Sequence, residues 1–232
     1  MIKLLKLLAA LALLGFPIAV VGFRLGAFPF SISFQLLTYT VYLSAAVFVL
    51  GMVVGFVMRA DRGAAKSART AAMIALLPLI GLGTQVFTAK SVPGIHNIST
   101  DVVNPPAFDK VVALRGEYTN PLEYNIANLA SLQTQAYPNV KTLSTELSPI
   151  DAHARAKAVV ESMGLELVNS DQSNGIIEAT ETTTIWGFKD DLVVRITEND
   201  GKTAVDLRSV SRIGTSDLGA NARRIEKFLA KF

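Results

Sequence analysis

Arginine, serine and aspartate crowd the stretch from Leu207 to Arg224. Arg208, Ser209, Ser211, Arg212, Ser216, Asp217, Arg223 and Arg224 surround Gly214, where a two-residue alternation gives way to a helical pattern. Free backbone N–H groups at a helix start, together with the helix dipole, favour an anion beside guanidinium groups. Arg208, Arg212 and Ser216, with Arg195 on a neighbouring strand, are therefore the candidate anion-binding residues. The ligand would be an anionic group such as a lipid phosphate or a carboxylate, on an anionic lipid or an envelope polymer. The same residue types fit a second role. Asp206, Asp191 and Asp217 can neutralise the arginines, with Arg212 on Asp217 and Arg208 on Asp206 or Asp191, locking sheet to helix. Ion-pair networks of that kind also occur away from active sites.

Other chemistries find less support. A serine hydrolase needs a nucleophile, a base and an orienting acid. The histidines are His96 and His153, and no Gly-x-Ser-x-Gly surrounds any serine. His153 falls in the first turns of a predicted helix, where it would be exposed, and His96 falls in a Pro/Gly-rich lead-in. Asp190 and Asp191 are adjacent in a strand and so point to opposite faces, which suits turn capping better than paired acid–base work. There are no cysteines, and no histidine spacing fits a metal. Neither a cofactor nor a metal is expected, and catalytic residues are assigned to none. Trp186 and Phe188 bracket Gly187 at a hairpin tip, as core-edge caps or as an interfacial pair.

These residues need a scaffold. Residues 191–198 and 203–211 flank Asp200-Gly201, a two-residue turn signal. That turn sets Asn199 opposite Lys202. Leu192, Val194 and Ile196 then face Ser209, Leu207 and Val205 on one side, and Arg195 faces Asp206 on the other. Ser148-Pro149-Ile150-Asp151 reads as a helix start, and Gly164 as its end. A final amphipathic helix is predicted from Ser216 or Asp217, with Leu218, Ala222, Ile225 and Leu229 inward and Arg223, Arg224 and Lys227 outward. The expected fold is α+β, a mostly antiparallel sheet with two helices packed on one face. Residues 107–232 form this domain, and residues 90–106, with four Pro/Gly breakers, read as a linker.

Half of the 232 residues are hydrophobic, and the excess lies before residue 90. Residues 7–23, 36–58 and 70–88 are apolar and uncharged, and about 20 such residues cross a bilayer core as a helix. Residues 1–89 are thus expected to form a three-helix membrane anchor. The first span could also be read as a cleaved signal peptide, but no small-x-small site precedes Arg24. Lys3, Lys6, Arg59, Arg62, Lys66 and Arg69 fall on one side, which the positive-inside rule makes cytoplasmic. The C-terminal domain is then periplasmic, with the bacterial inner membrane as the expected location. Gly51-x-x-x-Gly55 either mediates close helix approach or reflects the general abundance of glycine in membrane helices. From Lys90 onward 15 basic residues face 18 acidic ones, so a nucleic-acid partner is not expected.

Three motifs also carry a resemblance. Gly187-Phe188-Lys189-Asp190-Asp191 is an acidic turn before a strand. Arg208-Ser209-Val210-Ser211-Arg212-Ile213-Gly214 is an Arg-Ser-x-Ser-Arg-x-Gly signature. Ser216-Asp217-Leu218-Gly219-Ala220-Asn221, followed by Arg223-Arg224-Ile225, is a helix start. Together they resemble the uncharacterised DUF1499 family over roughly residues 93–232, not the spans. Many members open the domain with a cysteine-bearing segment, whereas residues 93–101 here hold no cysteine. The resemblance implies a membrane- or envelope-associated domain and no established activity. The expected function is a membrane-anchored extracytoplasmic interaction module, binding an anionic envelope component, membrane lipid or membrane-protein partner. An envelope hydrolase using His96, or a structural subunit of a membrane assembly, is the alternative.

Overall fold

The computed structural model describes residues 1–199 and 201–232, with the side chains of residues 85–90 and 199 left out. Asp200, half of the expected turn pair, lies outside the described residues. Two compact units divide the chain, Met1–Thr88 and Ala89–Phe232.

The first unit holds α1 (Ile2–Arg24), α2 (Phe30–Val57) and the membrane-length part of α3 (Arg62–Ser91). All three helices are long and apolar enough to cross a membrane, with α3 reaching that standard over Arg62–Thr84. Small residues set their spacing. A Cβ on Gly15 would collide with Thr40, one on Gly51 would lie 2.8 Å from the Ala68 carbonyl, and one on Gly55 2.8 Å from Arg69. The Gly51/Gly55 pair therefore seats α2 against α3 within this chain, the close approach that small-xxx-small spacing permits. Ala9, Val47, Ala68, Ala71 and Ala75 form the buried seam.

The second unit is α+β. Its strands are β1 (Asn97–Ser99), β2 (Leu143–Thr145), β3 (Glu166–Asp171), β4 (Ile176–Thr182), β5 (Lys189–Asn199) and β6 (Lys202–Ser211), all paired antiparallel. The sheet runs β1-β6-β5-β4-β3, and β2 shares with β1 the free edge of β6. The hairpin register matches the sequence reading residue for residue, with Leu192, Val194 and Ile196 opposite Ser209, Leu207 and Val205, and Arg195 opposite Asp206. The alternation gives the sheet two unlike faces. One, with Ile177, Ala179, Leu192, Val194, Val205 and Leu207, packs against α5 (Pro149–Ser162) and α6 (Ala220–Lys231). Ser148 caps α5, its Oγ accepting from the Asp151 N–H at 3.1 Å. Ala222, Ile225 and Phe228 are the buried stripe of α6.

The opposite face carries Glu178, Thr180, Asp191, Arg195, Asp206, Arg208 and Arg212. A polar face needs a polar cover, and the segment before β2 supplies it. Here the sequence reading is corrected. Residues 90–106 are not a free tether, because Ile95 and Asn97–Thr100 are buried and β1 pairs with β6. The rest of the cover holds a 3-10 helix, Lys110–Leu114, and α4 (Ile126–Ala136). α6 begins at Ala220 rather than Ser216, because Leu218 and Gly219 take positive φ (55° and 79°) and cannot continue a right-handed helix.

Candidate functional site

The signature strand works by alternation. Arg208 and Arg212 point to the polar-covered face, Ser209 and Ser211 to the helix face. Arg212 is inserted against Asp191, its Nε donating to Oδ2 at 2.9 Å and its Nη2 to Oδ1 at 2.8 Å. This is the two-pronged geometry that a planar guanidinium makes with a carboxylate. Asp191 is fully buried and also accepts from Arg115 Nη1 at 2.5 Å and Thr180 Oγ1 at 2.9 Å. Arg212 Nη1 donates to the Leu114 carbonyl at 2.7 Å, closing the 3-10 helix onto the sheet.

Arg208 is 6% exposed, and among the described residues its hydrogen-bond acceptors are all neutral. Its Nε donates to Asn97 Oδ1 at 3.1 Å, Nη1 to the Pro106 carbonyl at 3.2 Å and Nη2 to the Leu122 carbonyl. The Phe108 and Tyr124 rings lie 5.5 and 5.8 Å from its guanidinium carbon. Burial pushes the Arg208 guanidinium down to about 10, so it remains a cation at neutral pH. Burial also lowers Arg115 and pushes the Tyr124 phenol up to about 12. Arg195 stands apart from this pair. Its Nη2 donates to Asp206 at 2.9 Å and Asp101 at 3.0 Å, and its Nη1 to the Asn104 carbonyl. Asp206 additionally accepts from Thr100 and Thr142.

On the helix face, Ser209 donates to Asn221 Oδ1 at 2.7 Å, and Asn221 Nδ2 donates to Ser211 Oγ at 2.9 Å and the His96 carbonyl at 3.0 Å. Arg224 joins them, donating to Asp190 at 2.6 Å, Ser209 at 2.8 Å, Glu181 at 2.5 Å and Asn221. Asp190 and Asp191 thus serve opposite faces, as strand geometry requires, and both hold arginines instead of capping a turn. Ser216 Oγ accepts the Leu218 N–H, and Asp217 takes the start of α6, accepting from Gly219 and Asn221 at 2.7 Å each. The chain's own carboxylate therefore occupies the place where an anion would sit, and burial raises the Asp217 pKa.

Several expected partners are thereby corrected. Arg212 pairs with Asp191, not Asp217. Arg208 contacts neither Asp206 nor Asp191. Arg224 is buried, not solvent-facing, because residues 221, 224, 225 and 228 share one side of α6. His153 is buried, its Nε2 3.4 Å from the Ile176 carbonyl. Trp186 and Phe188 are half-buried and stacked 5.4 Å apart. Sequence reasoning missed Arg115, Asn97, Asn120, Asn221 and Glu178. Glu178 sits in β4 and accepts the N–H groups of Asp109, Lys110 and Val111 at the start of the 3-10 helix. Among the described residues no group of three or more His, Asp or Glu could hold a metal ion.

The three motifs form one interlocked unit: Asp191 and Asp190 of the first hold Arg212 of the second and Arg224 of the third. A family model described as a protein of unknown function, DUF1499, matches residues 97–232. The chain belongs to the DUF1499 family. Its signature arginines, serines and acids are those just placed in the two networks. No curated protein matches the chain.

Proposed function

We propose that this DUF1499 chain is a membrane-anchored interaction module. The N-terminus and the basic 59–69 segment lie on the cytoplasmic side of a bacterial inner membrane, and the C-terminal domain lies in the periplasm. The charge bias of the segments flanking the spans supports that orientation. One observation carries the functional part: Arg208 and Arg212, the residues best suited to an anion, are at most 9% exposed and committed to partners from their own chain. The signature then serves to hold the cover segment and α6 on the sheet, and recognition of an envelope component falls to the outer surface of the cover. Val112, Leu114 and Tyr118, 46, 56 and 95% exposed, are apolar or aromatic side chains within seven residues of that surface.

The absence of cysteine makes the test direct. Single Y118C and A60C variants are treated with a membrane-impermeant maleimide. Y118C should label in cells with a permeabilised outer membrane, and A60C only after lysis. The reverse pattern sinks the orientation. A photo-crosslinking residue at position 118 should give a discrete adduct absent when it is placed at exposed Ile150 on α5. Equal, diffuse labelling at both positions would remove this surface from consideration.

A further inference from the structure

The first unit contains a second basic cluster, and it is built differently from the first. Arg59, Arg62, Lys66 and Arg69 line a cavity of about 720 Å³ together with Ala65, Thr70, Met73, Ile74 and Leu77. Among the described residues, none of the ion pairs involves these four cations. The nearby acid in sequence, Asp61, is turned away into capping α3, its Oδ1 accepting from Gly63 and Ala64 at 3.0 Å each. Two of the cations are placed by the fold. Arg59 lies over the Phe56 ring at 5.0 Å, and Arg69 Nη2 donates to the Gly55 carbonyl at 3.2 Å. Arg62 and Lys66 are exposed one turn apart on α3.

The lining changes character along the helix. Arg62, Lys66, Thr70, Met73 and Leu77 follow i, i+4, i+8, i+11 and i+15 spacing, a single stripe on one side of α3. It runs from cations to exposed apolar side chains, Met73 and Leu77 being 56 and 59% exposed. At 1.5 Å per residue, the stripe from Arg62 to Leu77 is about 22 Å long. That length matches one headgroup layer plus the hydrocarbon depth of one leaflet, roughly 20 Å together. A free small anion would use only the first half of the stripe. A phospholipid with an anionic headgroup would use all of it, with its phosphate among the four cations and an acyl chain along Met73, Ile74 and Leu77.

We infer that this cavity binds the headgroup of an anionic phospholipid. The inference rests on membrane insertion of the three helices but not on which side the cluster faces. The test uses the full chain in nanodiscs of equal phosphatidylglycerol and phosphatidylcholine, released for native mass spectrometry. Wild type should retain phosphatidylglycerol in clear excess. R62Q/K66Q should reduce that excess about 25-fold, since each of the two basic side chains near an anionic surface contributes a factor of about five. R62K/K66R should keep it, and inorganic phosphate should not displace the lipid. No preference in wild type, an unchanged preference in R62Q/K66Q, or displacement by inorganic phosphate would overturn the assignment. Matching melting curves for the three proteins establish that the fold is intact. Alkaline extraction of the chain from membranes would instead refute membrane insertion, separating that failure from failure of the lipid site.

Discussion

The chain holds two sets of clustered cations, and they differ in what surrounds them. The side chains of Arg115, Arg208, Arg212 and Arg224 are buried, and their donors are met by Asp190, Asp191, Glu181 and backbone carbonyls, with Asn97, Ser209 and Asn221 completing the set. Arg59, Arg62, Lys66 and Arg69 are exposed and lack a carboxylate among the described residues. A charge taken out of water is costly unless its partners travel with it, so a buried arginine must bring its own acceptors. An exposed cation keeps its hydration and stays available to a mobile anion. The same residue type is thus structural in one setting and receptive in the other, and burial decides which.

That contrast is open to attack by substitution. The largest effect is expected at Asp191. D191N leaves Arg115 and Arg212 buried without their carboxylate, and should cost about 3–5 kcal/mol in denaturant unfolding of the full chain. D190N should cost less, because Arg224 retains Glu181. R208Q comes next. It strands the Asn97, Pro106 and Leu122 acceptors, with an expected loss of about 1–3 kcal/mol and faster hydrogen exchange across residues 97–125. If R208Q instead melts like wild type while weakening binding of an anionic ligand, the buried set is receptive after all. A smaller, pH-dependent effect is expected at Asp217. Its folded pKa lies above its unfolded value, so the folded state favours the protonated form. Its contribution is most favourable below the unfolded carboxylate pKa and is lost as pH rises through the folded one. The stability of D217N relative to wild type should therefore rise over that window and stay flat above it, as read from melts across acidic to neutral pH. The smallest change belongs to R62Q/K66Q, which should alter stability by less than about 0.5 kcal/mol.

Much of this architecture is legible in the sequence where the signal is local. The β5–β6 register follows from alternation about one turn, α5 from its serine cap and proline, and the spans from uninterrupted apolar runs. The cover segment is not legible that way. Its prolines and glycines suggest a tether, and nothing nearby reveals that Ile95 and Ile98 fill a core or that β1 has a partner more than a hundred residues away. The site divides similarly. Opposite-face placement of Asp190 and Asp191 follows from strand geometry, and the hairpin register already puts Arg212 opposite Lys189 and so diagonal to Asp191 on one face, whereas the contacts of Arg212 with Leu114 and of Asp191 with Arg115 come from a segment that only the fold brings there. Arg224 was readable, since it falls one residue from Ile225 on the buried side of α6, yet its charge argued for solvent.

β6 is next to last among the elements in sequence, yet it carries β5 on one edge and both β1 and β2 on the other. A ribosome makes the cover segment long before it makes the strand that the cover rests on. Asn97 waits for Arg208, and Asn120 for Ser211 and Gly214. Such long sequence separations slow closure, because loop entropy is spent before contacts return it. Closure of the cover therefore comes late, and a chain stopped short of Arg208 would leave β1 without its partner strand and Asn120 without Ser211 and Gly214. Unfinished copies are then open to proteolysis, whereas completed ones bury the signature on both faces of the sheet.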